Sequence, residues 1–244
     1  MATNKSASYE ARLKNNKDLV ISVSGYSKYN PTSEDIKKEN YSGFLKNTEA
    51  AMTELKNSIG SLSTERKINK ELFENMVNTA RAVRSETGEL RGTDSNEYGQ
   101  VNSIVKLITG ENVSKHSMKK KEVNKNLKDG EEEPDSNSVS QLDNKSKLGN
   151  FRLLNGLLRS FTFYLPDEKS ISIASLEAME TVLTESLERI AEKENAFTNR
   201  RSAIMHYFND KGGLRDRAKR AKMHVKRQYG NRSPEFKALV NKNY

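Results

Sequence analysis

The sequence predicts an all-α protein, a tandem duplication of a helical unit packed as an elongated helix bundle. Three observations favour this class. Only 34% of the 244 residues are apolar and 31% are charged, apolar residues recur in steps of three and four, and there are 4 prolines and no tryptophan. Because an amphipathic helix buries one stripe and exposes the rest, long helices suit a chain with so few apolar residues.

The first element is a short helix that ends in a turn. Apolar spacing over Tyr9–Tyr26 favours a helix, although the run Asp18–Val23 alone would also suit a strand. The proline of Tyr29–Pro31 disfavours helical backbone at the residue before it and so predicts a turn. Thr32–Asp35 has the spacing of a capping box, with Asp in place of Glu or Gln, and predicts the start of the next helix.

A long amphipathic helix follows, and a second apolar stripe continues it. We expect Gly88 and Gly92 to interrupt this second stripe, and Ser95 to cap a short helix that carries Val101 and Val105. The first stripe consists of Tyr41, Phe44, Thr48, Met52, Leu55, Ile59 and Leu62, and the second of Ile68, Leu72, Met76, Ala80 and Val83.

The middle of the chain has a different composition. Residues 110–146 have almost no apolar side chains, and they include a lysine cluster and the acidic run Glu131–Asp135. This composition is typical of a solvated linker, and a specific docking segment is the alternative. The predicted domains are therefore a first helical repeat at 1–109, a charged linker at 110–146, and a second helical repeat with a basic C-terminal segment at 147–244.

An internal repeat relates the two halves. A shift that places residue 29 on residue 164 superimposes the apolar stripes and brings Tyr29–Pro31 onto Tyr164–Pro166. Three extra residues then enter at Lys211–Gly213. Beyond them, Gly92–Tyr98 falls on Gly230–Phe236, so both halves end in a glycine and a serine-capped short helix. Stripes alone align by chance, and the matching turns and caps are the stronger evidence for a duplication.

Three segments carry a resemblance to a known family. They are Val225–Phe236, which reads Val-Lys-Arg-Gln-Tyr-Gly-Asn-Arg-Ser-Pro-Glu-Phe, the turn Tyr164–Pro166, and the linker end Ser140–Leu142. At these residues the sequence resembles uncharacterised two-repeat helical proteins of Bacteroidetes and related bacteria, most closely from Ser140 onward. Gly88 and Thr48 depart from the family pattern in the first half. The resemblance implies the fold, and it implies no activity because none is established for the family.

The positive charge is concentrated at the C-terminus. The chain has a net charge of +9, yet residues 200–244 alone contain thirteen basic and three acidic residues. The apolar stripe of the helix near 214–229 is flanked by basic side chains, which predicts a surface that attracts phosphate backbones or acidic proteins. Nearby aromatic residues could stack on bases, although Phe208 and Tyr229 also suit the end of a bundle core. The candidate polyanion-binding residues are Arg215, Arg217, Lys219, Arg220, Lys222, Lys226, Arg227 and Arg232.

Several kinds of chemistry lack candidate residues. There is no cysteine, so disulfides, thiolate metal sites and a cysteine nucleophile are excluded. His206 and His224 have no obvious carboxylate or nucleophile nearby in the sequence, and His116 lies in the charged linker. Glu188, Glu192 and Glu194 lack the Glu-x-x-His partner of a di-metal bundle site. We therefore predict no catalytic, cofactor-binding or metal-binding residues, no cofactor, and no small-molecule substrate.

Two functional hypotheses follow. The first is a non-catalytic, scaffold-like interaction protein that binds a protein partner or self-associates. The alternative is a basic accessory protein that binds nucleic acid or the ribosome through its C-terminal helices. We expect a cytoplasmic protein, because the sequence has neither a membrane-spanning apolar run nor a secretory leader. An enzyme is the third and weakest hypothesis.

Overall fold

The computed structural model describes residues 4–111, 143–240, 242 and 244, and these residues form helices and turns without a strand. The predicted all-α class is thereby confirmed. None of these helices combines the length and the apolar character that a bilayer crossing requires. The α-helices are α1 (Asn4–Ser24), α2 (Lys38–Arg91), α3 (Asn96–Thr109), α4 (Asn144–Ser160), α5 (Ile173–Asn209), α6 (Leu214–Tyr229) and α7 (Pro234–Val240), and two 3₁₀-helices span Glu34–Ile36 and Lys169–Ile171.

The chain forms two compact units that do not follow the order of the sequence. Unit 1 consists of Met1–Leu62 and Glu192–Tyr244, and unit 2 consists of Ser63–Ala191. Helices α2 and α5 each contribute residues to both units. The predicted ranges 1–109 and 147–244 therefore do not coincide with the compact units. Each unit contains residues from both ranges. Most of the predicted linker, residues 112–142, lies outside the described residues.

Unit 1 has a core built from α1, α6, α7 and parts of the two long helices. Its central side chains come from every one of these elements, so the N-terminal and C-terminal segments of the chain share one apolar interior. The most deeply buried members are Leu19, Val23, Tyr41, Ile204, Phe208, Leu214, Ala218, Ala221, Val225 and Leu239.

Unit 2 has a core of the same kind, built from α3, α4 and the remaining parts of α2 and α5. One polar cluster lies beside it: Asn69 donates to Ser186 Oγ at 2.9 Å and accepts from Asn144 at 2.6 Å. The most deeply buried apolar members are Met76, Ala80, Val83, Val101, Val105, Ile108, Phe151, Leu154, Leu158, Leu176 and Leu183.

Helix α2 is longer than predicted. Its 54 residues are continuous, and Gly88 does not interrupt it. A Cβ at Gly88 would lie 3.1 Å from the ring of Tyr98, so the glycine makes room for that ring. The break predicted at Gly92 is confirmed by its φ of 84°. In the second half the corresponding stretch forms two helices, because the three extra residues Lys211–Gly213 separate α5 from α6.

The two tyrosine-proline turns have the same internal hydrogen bond. The hydroxyl of Tyr29 donates to the carbonyl of Ile36 at 2.8 Å, and that of Tyr164 donates to the carbonyl of Ile171 at 2.9 Å. Both rings are buried. The capping box predicted at Thr32–Asp35 is wrong, because a 3₁₀-helix begins there and its N-cap serine makes no capping hydrogen bond.

The serine caps of the short helices are confirmed. Ser95 accepts a hydrogen bond from the backbone of Tyr98 at 3.2 Å, and Ser233 accepts one from Phe236 at 3.1 Å. Each cap follows a glycine with positive φ, and the second is Gly230 at 93°. The serines satisfy amide groups that the first turn of a helix leaves without partners.

Candidate interaction surfaces

The structure divides the eight predicted polyanion-binding residues into two groups. Arg217, Arg220 and Lys222 contact other parts of unit 1 and support its structure. The other five side chains are exposed on α6 or just beyond it, and they form what we call the basic surface. The residues of the basic surface are Arg215, Lys219, Lys226, Arg227 and Arg232.

Arg217 is a structural residue. It is only 9% exposed, and its Nε donates to the carbonyl of Gly212 at 2.6 Å. Its Nη1 donates to the carbonyl of Asp35, and its guanidinium carbon lies 4.1 Å from the ring centroid of Phe44. Arg217 therefore joins α6 to the 3₁₀-helix and α2, and it is not available to an external ligand.

Arg220 and Lys222 also have internal partners. Arg220 donates to Asp35 Oδ2 at 2.9 Å and to Ser33 Oγ at 3.0 Å. The hydrogen bond from Arg220 holds the pKa of the Asp35 carboxyl below its ordinary value. Lys222 donates to the carbonyl of Lys242 at 3.3 Å, and its ammonium lies 4.1 Å from the ring of Tyr244. Burial lowers the pKa of Lys222.

The aromatic side chains near the basic surface are engaged within unit 1. Phe208 is fully buried in the core. The hydroxyl of Tyr229 accepts a hydrogen bond from the backbone of Lys28 at 2.7 Å, and its ring lies 5.6 Å from that of Tyr26. The ring of Tyr207 lies 5.5 Å from that of Phe44. The basic surface is thus suited to phosphate contacts more than to base stacking.

His224 lies at the inner edge of α6. It is 7% exposed, its Nδ1 is 3.3 Å from Arg227 Nη2, and its ring meets that of Tyr29 edge-on at 5.2 Å. Because a guanidinium only donates, Nδ1 is the acceptor and the neutral ring carries its proton on Nε2. Burial lowers the pKa of His224, and the positive charge of Arg227 lowers it further.

We expect stability to fall as the pH drops below 6.5. The unfolded histidine takes up a proton near pH 6.5, whereas folded His224 has a lower pKa. The unfolded state therefore binds more protons as the pH falls from 7.5 towards 5. Urea unfolding of the wild type and of His224→Asn across this range measures the effect. The wild type should lose more stability than the variant, and equal losses would contradict the assignment.

A row of polar side chains lies on the exposed face of α5. His206 Nδ1 is 2.6 Å from Asp210 Oδ2, and its Nε2 is 3.5 Å from Ser202 Oγ. The prediction that His206 lacks a nearby carboxylate is therefore wrong, because residues four apart meet on a helix. The row resembles a serine-histidine-aspartate order, but it lies on an open helix face whose own amide groups are used within the helix. Nothing there forms an oxyanion hole.

A groove in unit 2 was not predicted. Its lining residues come from α2 between Arg66 and Arg81, from the end of α3 at Thr109, from the start of α4 and from α5. Its volume is about 1070 Å³. The apolar side chains that line it are Phe73, Val77, Leu187 and Ile190.

The groove has more positive than negative side chains. Its cationic members are two residues of α4 and three of α2, and its acidic members are Glu74 and Asp143. Glu74 is 3.7 Å from Lys70, and Asp143 accepts a hydrogen bond from the backbone of Ser146 at 2.9 Å as the N-cap of α4. Both acidic groups therefore have partners within the unit. The cationic residues are Arg66, Lys70, Arg81, Lys145 and Lys147.

The described residues contain no group of histidine, aspartate and glutamate side chains that could hold a metal ion. Comparisons of the chain with protein-family models, with curated proteins and with solved structures find no match. The resemblance to a two-repeat helical family therefore stays a prediction.

Proposed function

We propose that this chain is a non-catalytic helical interaction protein that binds another macromolecule through unit 2. The observation that carries the proposal is the groove, in which Val77, Leu187 and Ile190 remain only partly buried beside a folded core. A concave apolar surface of this size with polar groups at its rim is typical of binding sites. On this proposal the protein acts by binding a partner. That partner is either another macromolecule or a second copy of this chain.

Site-specific photo-crosslinking in the native cell tests this proposal. A photoreactive side chain at position 190 lies in the groove, and the same side chain at position 182 lies on the same helix but outside it. We expect a discrete macromolecular adduct from position 190 and none from position 182. Equal adducts at both positions would count against the groove. Turnover of a metabolite that one point mutation abolishes would overturn a non-catalytic function.

We also propose that the two halves of the chain are a tandem duplication. Support comes from the equivalent hydrogen bonds of Tyr29 and Tyr164 and from the equivalent caps Ser95 and Ser233. The alignment of the two halves pairs Tyr29 with Tyr164 before the three-residue insertion at Lys211–Gly213, and Ser95 with Ser233 after it. Equivalent hydrogen bonds at aligned positions support a duplication.

A turn exchange tests the equivalence of the halves. The segment Tyr164–Ile171 can be replaced by the sequence of Tyr29–Ile36, which has the same length and the same terminal residues. If the turns are equivalent, the chimera should fold with a stability within about 1 kcal/mol of the wild type, as expected for surface changes. A chimera that fails to fold would contradict equivalence. The single variant Tyr164→Phe measures how much of any loss comes from the tyrosine hydrogen bond.

Binding of polyanions is the second candidate function, with a cytoplasmic nucleic acid or the ribosome as the target. The observation that favours it is the basic surface, whose five cationic side chains are exposed on neighbouring turns of α6 and the segment after it. Dense positive charge of this kind attracts phosphate backbones over distances comparable to the Debye length. If the protein binds polyanions in this way, Arg217, Arg220 and Lys222 stabilise the fold and do not contact the polyanion.

A salt titration separates the basic surface from general charge effects. The quadruple variant Arg215→Gln, Lys219→Gln, Arg227→Gln and Arg232→Gln should bind duplex DNA at least tenfold more weakly. The slope of log K against log salt should also decrease, by up to about 0.9 for each phosphate that the variant no longer neutralises. The control has the same charge change at four exposed lysines elsewhere. An equal loss of affinity in the control would exclude a specific site. The control positions are Lys14, Lys46, Lys67 and Lys169.

A further inference from the structure

We infer that the groove of unit 2 takes an acidic amphipathic helix from a partner protein. The inference rests on the proposed function and makes it specific, because it states the chemistry of the partner. Three properties of the groove lead to it: its length along α2, the state of the polar groups next to its apolar lining, and the charge of its rim.

The length of the groove fits about four turns of helix. It follows α2 from Arg66 to Arg81, which is about 22 Å at 1.5 Å per residue. The described residues offer no strand edge to which an extended peptide could add. Polyproline segments bind grooves lined with exposed aromatic rings, whereas the aromatic side chain in this lining, Phe73, is only 3% exposed. The length of the groove along α2 and its partly exposed apolar side chains fit an amphipathic helix laid into it.

The lining of the groove accepts apolar side chains without leaving its central polar group unsatisfied. Asn69 is 3% exposed, and both ends of its amide are hydrogen-bonded within the unit, to Ser186 and to Asn144. A leucine or isoleucine that covers Asn69 therefore breaks none of these hydrogen bonds. The apolar stripe of the incoming helix would instead cover Val77 and Ile190, which are partly exposed in the unbound protein.

The charge of the rim selects for an acidic partner. Five cationic and two acidic side chains line the groove, which gives it an excess of three positive charges. Glu74 pairs with Lys70, and Asp143 caps the first turn of α4. The start of α4 also contributes the positive end of a helix dipole next to Lys145 and Lys147. Glutamate residues that flank an apolar stripe would meet these groups, whereas lysine residues in the same places would be repelled.

Four synthetic helical peptides of 16 residues test the inference with the full chain. The first has a leucine stripe flanked by glutamate, the second has lysine in place of glutamate, and the third has glutamine. The fourth is a scrambled acidic peptide with the composition of the first and no stripe. Fluorescence anisotropy at low and at moderate salt measures binding. We expect the acidic amphipathic peptide to bind at least tenfold more tightly than each of the other three, and more weakly as salt rises.

Two pairs of variants locate the binding. Ile190→Asp places a charge in the groove, and Val182→Asp makes the same kind of change at an exposed position on the same helix. Lys145→Glu reverses a charge at the rim, and its control Lys46→Glu reverses one outside the groove. The two groove variants should lower the affinity for the acidic peptide at least tenfold, and the two controls should not. Circular dichroism confirms that all four variants are folded.

The outcomes distinguish the partner class from the proposed function. Tighter binding of the glutamine or lysine peptide, with the same dependence on Ile190, would overturn the acidic class and leave the groove as an interaction site. Equal binding of the scrambled acidic peptide would also overturn the inference, because charge alone would then suffice. If no amphipathic peptide binds in a manner that depends on Ile190, the inference fails. The groove-based function fails only if position 190 also gives no crosslinked adduct beyond that of position 182.

Discussion

Replacing Arg217 with alanine is expected to lower the free energy of unfolding by about 2–4 kcal/mol. The side chain is 9% exposed and donates to two backbone carbonyl groups, those of Gly212 and Asp35. Its removal leaves these acceptors without their charged donor and opens a space beside the ring of Phe44. Arg217→Lys should recover little of the loss, because an ammonium group cannot make the same set of planar, forked contacts.

The matched control is Arg215→Ala on the same helix. Arg215 is exposed, so its replacement should change stability by no more than about 0.5 kcal/mol. Chemical denaturation of the two variants and the wild type, with midpoint and slope compared, measures the difference. Similar stabilities of Arg217→Ala and Arg215→Ala would show that the internal contacts of Arg217 contribute little. Arg215→Ala should weaken the binding of duplex DNA more than Arg217→Ala does, because Arg215 belongs to the basic surface and Arg217 does not.

The residues that end helices and form turns were the most predictable part of the fold. Proline and positive-φ glycine restrict the backbone locally, and a serine cap satisfies amide groups within its own first turn. Pro31, Gly92 and Ser95 therefore have in the structure the roles that the sequence predicts. The period of the apolar residues likewise predicts helices wherever it persists over several turns.

Features that depend on distant residues were not predictable from local patterns. Gly88 looks like a break, but its missing side chain accommodates the ring of Tyr98, which arrives from α3. Thr32–Asp35 looks like a capping box, but the side chains of Ser33 and Asp35 accept hydrogen bonds from Arg220 of α6. Ile59 and Ile68 continue the apolar stripes of α2, yet they are 41% and 39% exposed. They flank Leu62, where α2 passes from one compact unit to the other.

In α6, the spacing of the residues predicts which side chains are buried better than their charge does. Arg217 is three residues after Leu214 and four before Ala221, so it lies on the buried stripe of α6. The same spacing places His224 there, and both side chains are buried. Charge alone places Arg217 on the polyanion-binding surface, whereas its spacing places it on the buried stripe. The groove of unit 2, in contrast, has no signal in the sequence, because four separate helices line it.

Replacing Phe208 with alanine should cost about 3–5 kcal/mol of unfolding free energy, and replacing Phe73 should cost a similar amount. The shift that places residue 29 on residue 164 also places Phe73 on Phe208. Phe208 is 0% exposed in the core of unit 1, and Phe73 is 3% exposed in the core of unit 2. The ring of Phe208 lies 4.7 Å from that of Tyr9 and 5.0 Å from the guanidinium of Arg12, so its loss also weakens the attachment of α1. Each variant leaves a cavity that the surrounding helices fill only in part.

Phe208→Ala and Phe73→Ala should differ in their effects on peptide binding even where they lower stability by the same amount. Phe73 lines the groove and Phe208 does not, so only Phe73→Ala should change the affinity for the acidic amphipathic peptide. Denaturant unfolding measures the first effect, and anisotropy in the absence of denaturant measures the second. Phe73→Leu, which keeps most of the volume, should recover much of the stability and of the binding. A loss below about 1 kcal/mol in either alanine variant would mean that its site collapses and leaves almost no cavity.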